Sequence, residues 1–292
     1  MTIEIKTTPQ EPDVSVTHTD QHLSAEQYKE AADALHVLSG MLLFEFACHN
    51  EKAATRDLIV RNFIARADTM VRGIFRLWEI KDYGDCWIIH RTLLDRLFHL
   101  HALNDHNQFD SFDDWSFKKQ YEAANRLRSD PDLKGQLKGL VDDLTIEQKA
   151  RYRRLVKNPP HWRRPKAEAV AQAMNQTFLY KYGYDFASQH VHPMSNDGEE
   201  DFFNITHLEP KPSFPEWEIV LSNSILAASI IVQDALNAST LSWRRVVYDA
   251  VEGIRKVLRF HSPEHLLPLA KMSKMFEEHI PLAKRRGSGL SQ

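Results

Sequence analysis

The chain has 292 residues, 42% of them hydrophobic and 26% charged, with a formal net charge of −3. Such a chain is long enough to bury a core without disulfides or metals. Its near-neutral balance excludes a protein driven as a whole onto nucleic acid or an anionic membrane.

Residues 1–22 are polar, contain Pro9 and Pro12, and show no helical period. They read as a disordered lead-in and lack the basic-then-apolar order of a signal peptide. Ser24–Gln27 has the form of a capping box and predicts a helix to about Asn50. Leu35, Leu38, Leu42 and Phe46 recur along it at three- and four-residue spacing. A second helix is predicted over about Ala53–Glu79, with Ile59, Phe63, Met70, Ile74 and Leu77 as its apolar stripe. Punctuation at Gly84 and a third helix over about Cys86–Asn104 follow. The surroundings of Cys48 and Cys86 are apolar, which predicts buried free thiols in a reducing compartment.

A fourth helix starts near Ser111 and ends near "SDPD". The capping box Thr145–Gln148 opens another, which the tandem prolines of "NPPHW" stop. Helices are predicted at about Pro165–Ala173 and Gln176–Val191. "NDGEED" and "LEPKPSFPEW" read as loops or a brief strand pair. Helices resume over about Trp217–Ala238, Leu241–Phe260 and Pro263–His279. Leu221–Leu241 is the most apolar stretch, but Asn223, Gln233, Asp234 and Asn237 interrupt it, so it is not read as a membrane span. The expectation is an all-α, multi-helix bundle. One domain covers residues 23–282, with residues 110–170 as a protruding section and 283–292 as a flexible tail. The expected compartment is the cytoplasm.

Two stripes carry chemistry. On the third helix Arg91, Asp95 and His99 fall at i, i+4 and i+8, so an Arg91–Asp95 ion pair is geometrically natural. Late in the chain Tyr184, Ser188 and His192 also stand four apart, stacking two hydroxyls and an imidazole along one edge. Pro193 forces the chain off that helix, leaving His192 at a terminus where the dipole favours its charged form. His190 and Asp185 read as surface residues, and His90 and His101 as core histidines.

"RTLLD" (Arg91–Asp95) and "YDFASQHVHP" (Tyr184–Pro193) resemble the two signature stretches of a bacterial helical family catalogued as domain of unknown function 5677. In that family an Arg is followed four residues later by an acid, usually Glu. A Tyr-x3-Ser-x3-His pattern comes later. Asp95 is a short-armed departure. The resemblance extends over roughly residues 30–240. It implies a helical fold with the two motif helices as neighbours, and it implies no reaction. If those helices meet, Arg91, Asp95, Tyr184, Ser188 and His192 form one polar cluster, catalytic or structural.

Three classes of function fit these residues. The first is RNA binding, or metal-independent RNA cleavage of the HEPN type, in which an Arg and a His after four to six intervening residues serve as phosphorane stabiliser and acid–base. Arg96 and His101 satisfy that spacing formally, and Arg91 with His192 would play the same roles from two helices. In support, residues 151–166 hold Arg151, Arg153, Arg154, Lys157, Arg163, Arg164 and Lys166 and no acid, with Tyr152 and Trp162 interleaved. Cations with aromatics suit RNA or another anionic ligand. The second is a non-enzymatic interaction or regulatory module, for which large apolar helix faces also allow a homodimer. The third is a metal-dependent bundle enzyme, for which Glu45 and His49 offer half a site without a partner half. No metal or cofactor is expected.

Overall fold

Long stretches free of proline and sparing in glycine leave the long elements free to be helical. The computed structural model describes residues 25–48, 54–132, 145–192, 194–195, 198–208, 217–240, 244–260, 262–267, 269–271 and 273–274. Among these the elements in order are α1 (Ala25–Cys48), α2 (Thr55–Glu79), α3 (Tyr83–Asp105), α4 (Phe109–Ser129), α5 (Ile146–Lys157) and α6 (Ala167–Ala173). A π-helix (Leu179–Asp185), α7 (Phe186–Gln189), α8 (Glu199–Thr206), α9 (Trp217–Ala238), α10 (Arg244–Phe260) and a 3-10 turn (Pro263–Leu266) follow. The described residues contain no strand. The all-α class is as expected.

α2, α3 and α9 pack on one another as the centre of the bundle. α1 and α10 close one side, and α6, the π-helix and α7 close the other against α3. α3 is apolar on most sides because it is enclosed on most sides. Leu93, Leu94, Leu97, Leu100 and Leu103 are all fully buried, each burial contributing roughly 1.5–3 kcal/mol relative to exposure. α9 is one of two described helices long and apolar enough to cross a membrane, the other being in α1, and 72% of its apolar window is buried inside the bundle.

Three helices end in the same way. The residue after the C-cap takes a left-handed conformation, at Lys81, Asn107 and Asn175 (φ 64°, 48° and 54°). In each the next two backbone N–H groups bond back into the last turn, as with Gln176 N–H to Ala171 O at 2.8 Å and Asn175 N–H to Gln172 O at 3.0 Å. Expected punctuation at Gly84 is therefore displaced. Lys81 makes the turn, Asp82 caps α3 by accepting from Asp85 N–H at 3.2 Å, and Gly84 lies inside the first turn. The capping box at Thr145 and Gln148 forms as read, with both reciprocal hydrogen bonds present.

Other expectations are corrected. The helix expected over Gln176–Val191 is a π-helix through Leu179–Asp185 and α-helical for a single further turn. The acidic run is not a loop throughout, since α8 begins at Glu199. The helix expected from Pro263 opens as a 3-10 turn, and the described residues from 267 to 274 are helical. Cys86 is buried, with its thiol against Ile74 O at 3.3 Å, whereas Cys48 is exposed. The lead-in, the Ser24 cap, His49, Pro193, the 209–216 loop and the tail lie outside the described residues.

Candidate functional site

The two motif helices do meet. α3 carries Arg91 and Asp95 one turn apart on the side that faces the π-helix and α7. Close approach there depends on Gly183. A Cβ at that position would stand 2.9 Å from Leu94 Cδ1 and 3.2 Å from His90 Nε2, so glycine lets the backbone sit this near α3 without displacing Leu94. A π-helix widens the turn locally and is frequent at such sites.

Arg91 occupies the junction and uses all three of its nitrogens. Nε donates to Ser188 Oγ at 3.1 Å, Nη1 to Asp95 Oδ2 at 3.0 Å and Nη2 to Tyr184 Oη at 2.9 Å. Ser188 turns its own proton back to Tyr184 O at 2.7 Å, leaving its oxygen free to accept. The Arg91 guanidinium also lies 4.6 Å from the centroid of the Tyr184 ring, and Tyr180 stacks on that ring from the previous turn. The short arm of Asp95 suffices, because Arg91 lies one turn back on the same helix. The same carboxylate oxygen accepts from Arg164 Nη2 at 2.9 Å. Arg91 and Asp95 are 20% and 17% exposed. Burial, with the Asp95 carboxylate second, pushes the Tyr184 phenol up, so it is neutral at physiological pH.

The electrostatics favour holding over reacting. Asp95 sits between two guanidinium groups, and Arg91 has three protein acceptors. A partly buried network of this kind fixes the register of the helices it joins more than it adds net stability. His192 stands apart. It is exposed, its backbone N–H bonds Ser188 O at 3.3 Å, and its imidazole makes no hydrogen bond to the cluster among the described residues.

The neighbouring histidines have structural surroundings. His90 is fully buried, and its Nδ1 lies 2.9 Å from Ser224 Oγ. Since Ser224 spends its proton on Val220 O at 2.6 Å, Nδ1 carries the hydrogen and the unpartnered Nε2 lone pair faces Gly183. Burial pushes His90 down to about 3. His99 bonds Asp95 O, stacks on Trp162, and is lowered by burial. His101, the histidine of the Arg96 spacing, lies 2.8 Å from Asp234 on α9, whose hydrogen bond raises it. His190, read as a surface residue, is half-buried and stacks flat on Trp87.

Residues 151–166 divide into two groups. Arg151 is held by Asp113 at 2.6 Å and Asp114 at 2.7 Å, and Arg154 lies 3.9 Å from Asp114. Arg164 belongs to the Asp95 cluster. Trp162 is 2% exposed, packed among Phe112, Trp115 and His99, so its ring faces the core. Tyr152 stacks on Tyr121 at 3.9 Å. Arg153, Lys157, Arg163 and Lys166 are exposed, and none has a carboxylate partner among the described residues. Arg163 bonds only the carbonyls of Pro160 and Trp162.

Sequence reasoning missed Arg164 as a partner of Asp95, Gly183 as the contact point, and the tie between His90 and Ser224. Of these only Gly183 left a signal, as a lone glycine inside a helical pattern. Among the described residues no group of three or more His, Cys, Asp or Glu side chains is placed to hold a metal ion.

Fold and site together define an all-α protein whose two motif segments are locked by one arginine-centred network. The chain belongs to a family of unknown function (DUF5677), whose profile matches residues 57–207, just over half of its length. That match includes both motifs and is narrower than the expected 30–240. No curated protein and no solved structure matches the chain.

Proposed function

We propose that the protein binds single-stranded RNA through the cationic edge formed by α5 and the segment that follows it. The carrying observation is local. Arg153, Lys157, Arg163 and Lys166 are exposed without carboxylate partners among the described residues, on a chain whose net charge is −3. Cations left unpaired on such a chain are available to phosphates, and phosphate contacts release counterions whatever the base sequence. The burial of Trp162 removes one stacking platform, so recognition rests chiefly on the backbone.

The Arg91 cluster serves this reading from behind. Arg164 anchors the segment to α3 through Asp95, and Trp162 seats it in the aromatic core. Metal-independent cleavage gains less support, because Arg91 would have to leave three protein partners and His192 is not bonded to it. A second reading, a protein-interaction module, is favoured by α8. Among the described residues that helix has little packing against its neighbours and leaves Phe202 and Ile205 exposed, with Leu208 just beyond it.

The test is an anisotropy titration of a labelled mixed-sequence 12-nucleotide RNA with the full chain. Saturable binding that weakens as salt rises is expected. No binding at low salt removes the RNA reading and leaves the interaction module.

A further inference from the structure

α2, α4 and α5 border a half-open cavity of about 350 Å³, at the small end of the range in which ligand pockets fall. Its apolar wall includes Phe63, Phe112 and Phe117. Arg151 forms another wall, its guanidinium held 4.3 Å from the centroid of the Phe117 ring. Asp113 also lines the cavity, and the rest of its polar rim is uncharged, at Asn62, Ser116 and Gln120. Each of these groups can both donate and accept, and Gln120 Nε2 donates to Ser116 Oγ at 3.4 Å.

Charge decides what enters. Arg151 is matched within the lining by Asp113 and from outside it by Asp114, so a phosphate inside the cavity would meet a carboxylate beside the one guanidinium. A lining more polar than apolar, with amide groups beside aromatic side chains, suits a flat, neutral heteroaromatic group with donors and acceptors along its edge. Arg153 and Lys157 leave the same helix on its other side, two and six residues on from Arg151, so a strand that crosses α5 can reach both them and the cavity.

We infer that this cavity takes one nucleobase, splayed out of a single-stranded RNA and edge-bonded by Asn62 and Gln120, while the phosphates stay outside it. The inference rests on the RNA reading above for the source of the base. It adds a base-binding site to a surface that otherwise reads only the backbone.

The experiment is saturation-transfer NMR of adenosine, cytidine, guanosine and uridine with the full chain, beside RNA titrations. At least one nucleoside shows transfer, and the transfer survives 0.5 M salt because the ligand is uncharged. Ser116→Trp, which fills the cavity, abolishes that transfer and weakens RNA binding by about ten-fold. If Ser116→Trp lowers the melting temperature, Gln120→Ala at the exposed rim decides, and unchanged nucleoside transfer in that variant overturns the inference. Absence of transfer from all four nucleosides overturns it too, even where RNA still binds, and that result leaves the RNA reading standing. Nucleoside transfer without RNA binding supports the cavity, overturns the RNA source, and assigns the site to a free nucleoside.

Discussion

Arg91 Nε donates to Ser188 Oγ at 3.1 Å across 97 residues of sequence. This bond, with those to Tyr184 and Asp95, joins the two motif segments through one side chain. Arg91→Met removes the charge that Asp95 faces inside the cluster. It also leaves Ser188 and Tyr184 without their donor. The expected loss is roughly 1–3 kcal/mol of unfolding free energy, measured by urea denaturation. Arg91→Lys recovers little of it, since an ammonium cannot span three acceptors. Full stability in the lysine variant would show that the fork geometry is irrelevant.

Gly183→Ala tests the close approach. The new Cβ meets Leu94 Cδ1 at 2.9 Å in a fully buried setting, and overpacking of this kind costs about 1–3 kcal/mol. Leu94→Ala frees the space at its own cost. The double variant Gly183→Ala, Leu94→Ala is therefore expected to be more stable than the sum of the single losses implies. Strict additivity would place the clash elsewhere.

Much of this architecture was legible before the fold was known. Apolar spacing located the long helices, because a central helix such as α3 must be apolar on every side that is covered. The two polar stripes were legible for the complementary reason: Arg91 and Asp95, like Tyr184 and Ser188, stand out against those apolar faces. Their meeting was not readable from periodicity, since it depends on a glycine contact and a π-turn. Arg164 illustrates the other limit. Its charge alone cannot distinguish a phosphate contact from a carboxylate 69 residues earlier. Trp162 between cations reads as a platform for stacking bases, and packing among Phe112, Trp115 and His99 turns it into the core instead.

The histidines set the pH dependence. His90 is held at about 3 in the folded chain and titrates near 6.5 when unfolded. Between those values the unfolded state binds a proton that the folded state refuses, so stability falls as pH falls from 6.5 toward 3. Burial of His99 acts with the same sign. His101 acts oppositely: raised by Asp234, its contribution is full below 6.5 and is lost as pH rises through its folded value. His90→Asn keeps a donor near Ser224 and does not titrate. From pH 7 to 5 the wild type is expected to lose about 2 kcal/mol more than this variant. Equal slopes would show that His90 is not buried neutral.

Intact RNA is expected after incubation with the protein in EDTA, and His192→Ala should bind RNA as the wild type does. Cleavage that disappears in His192→Ala, with the fold preserved, would instead make His192 an acid–base residue and require Arg91 to exchange a protein partner for a phosphate.

The most direct test of the account is the salt dependence of RNA affinity for Arg153→Glu, Lys157→Glu beside the wild type. These side chains are exposed, so the melting temperature should not move. Affinity is expected to fall, and the slope of log K against log salt to shrink by about 1–2. An unchanged affinity and slope would contradict the proposal that this edge of α5 binds phosphates.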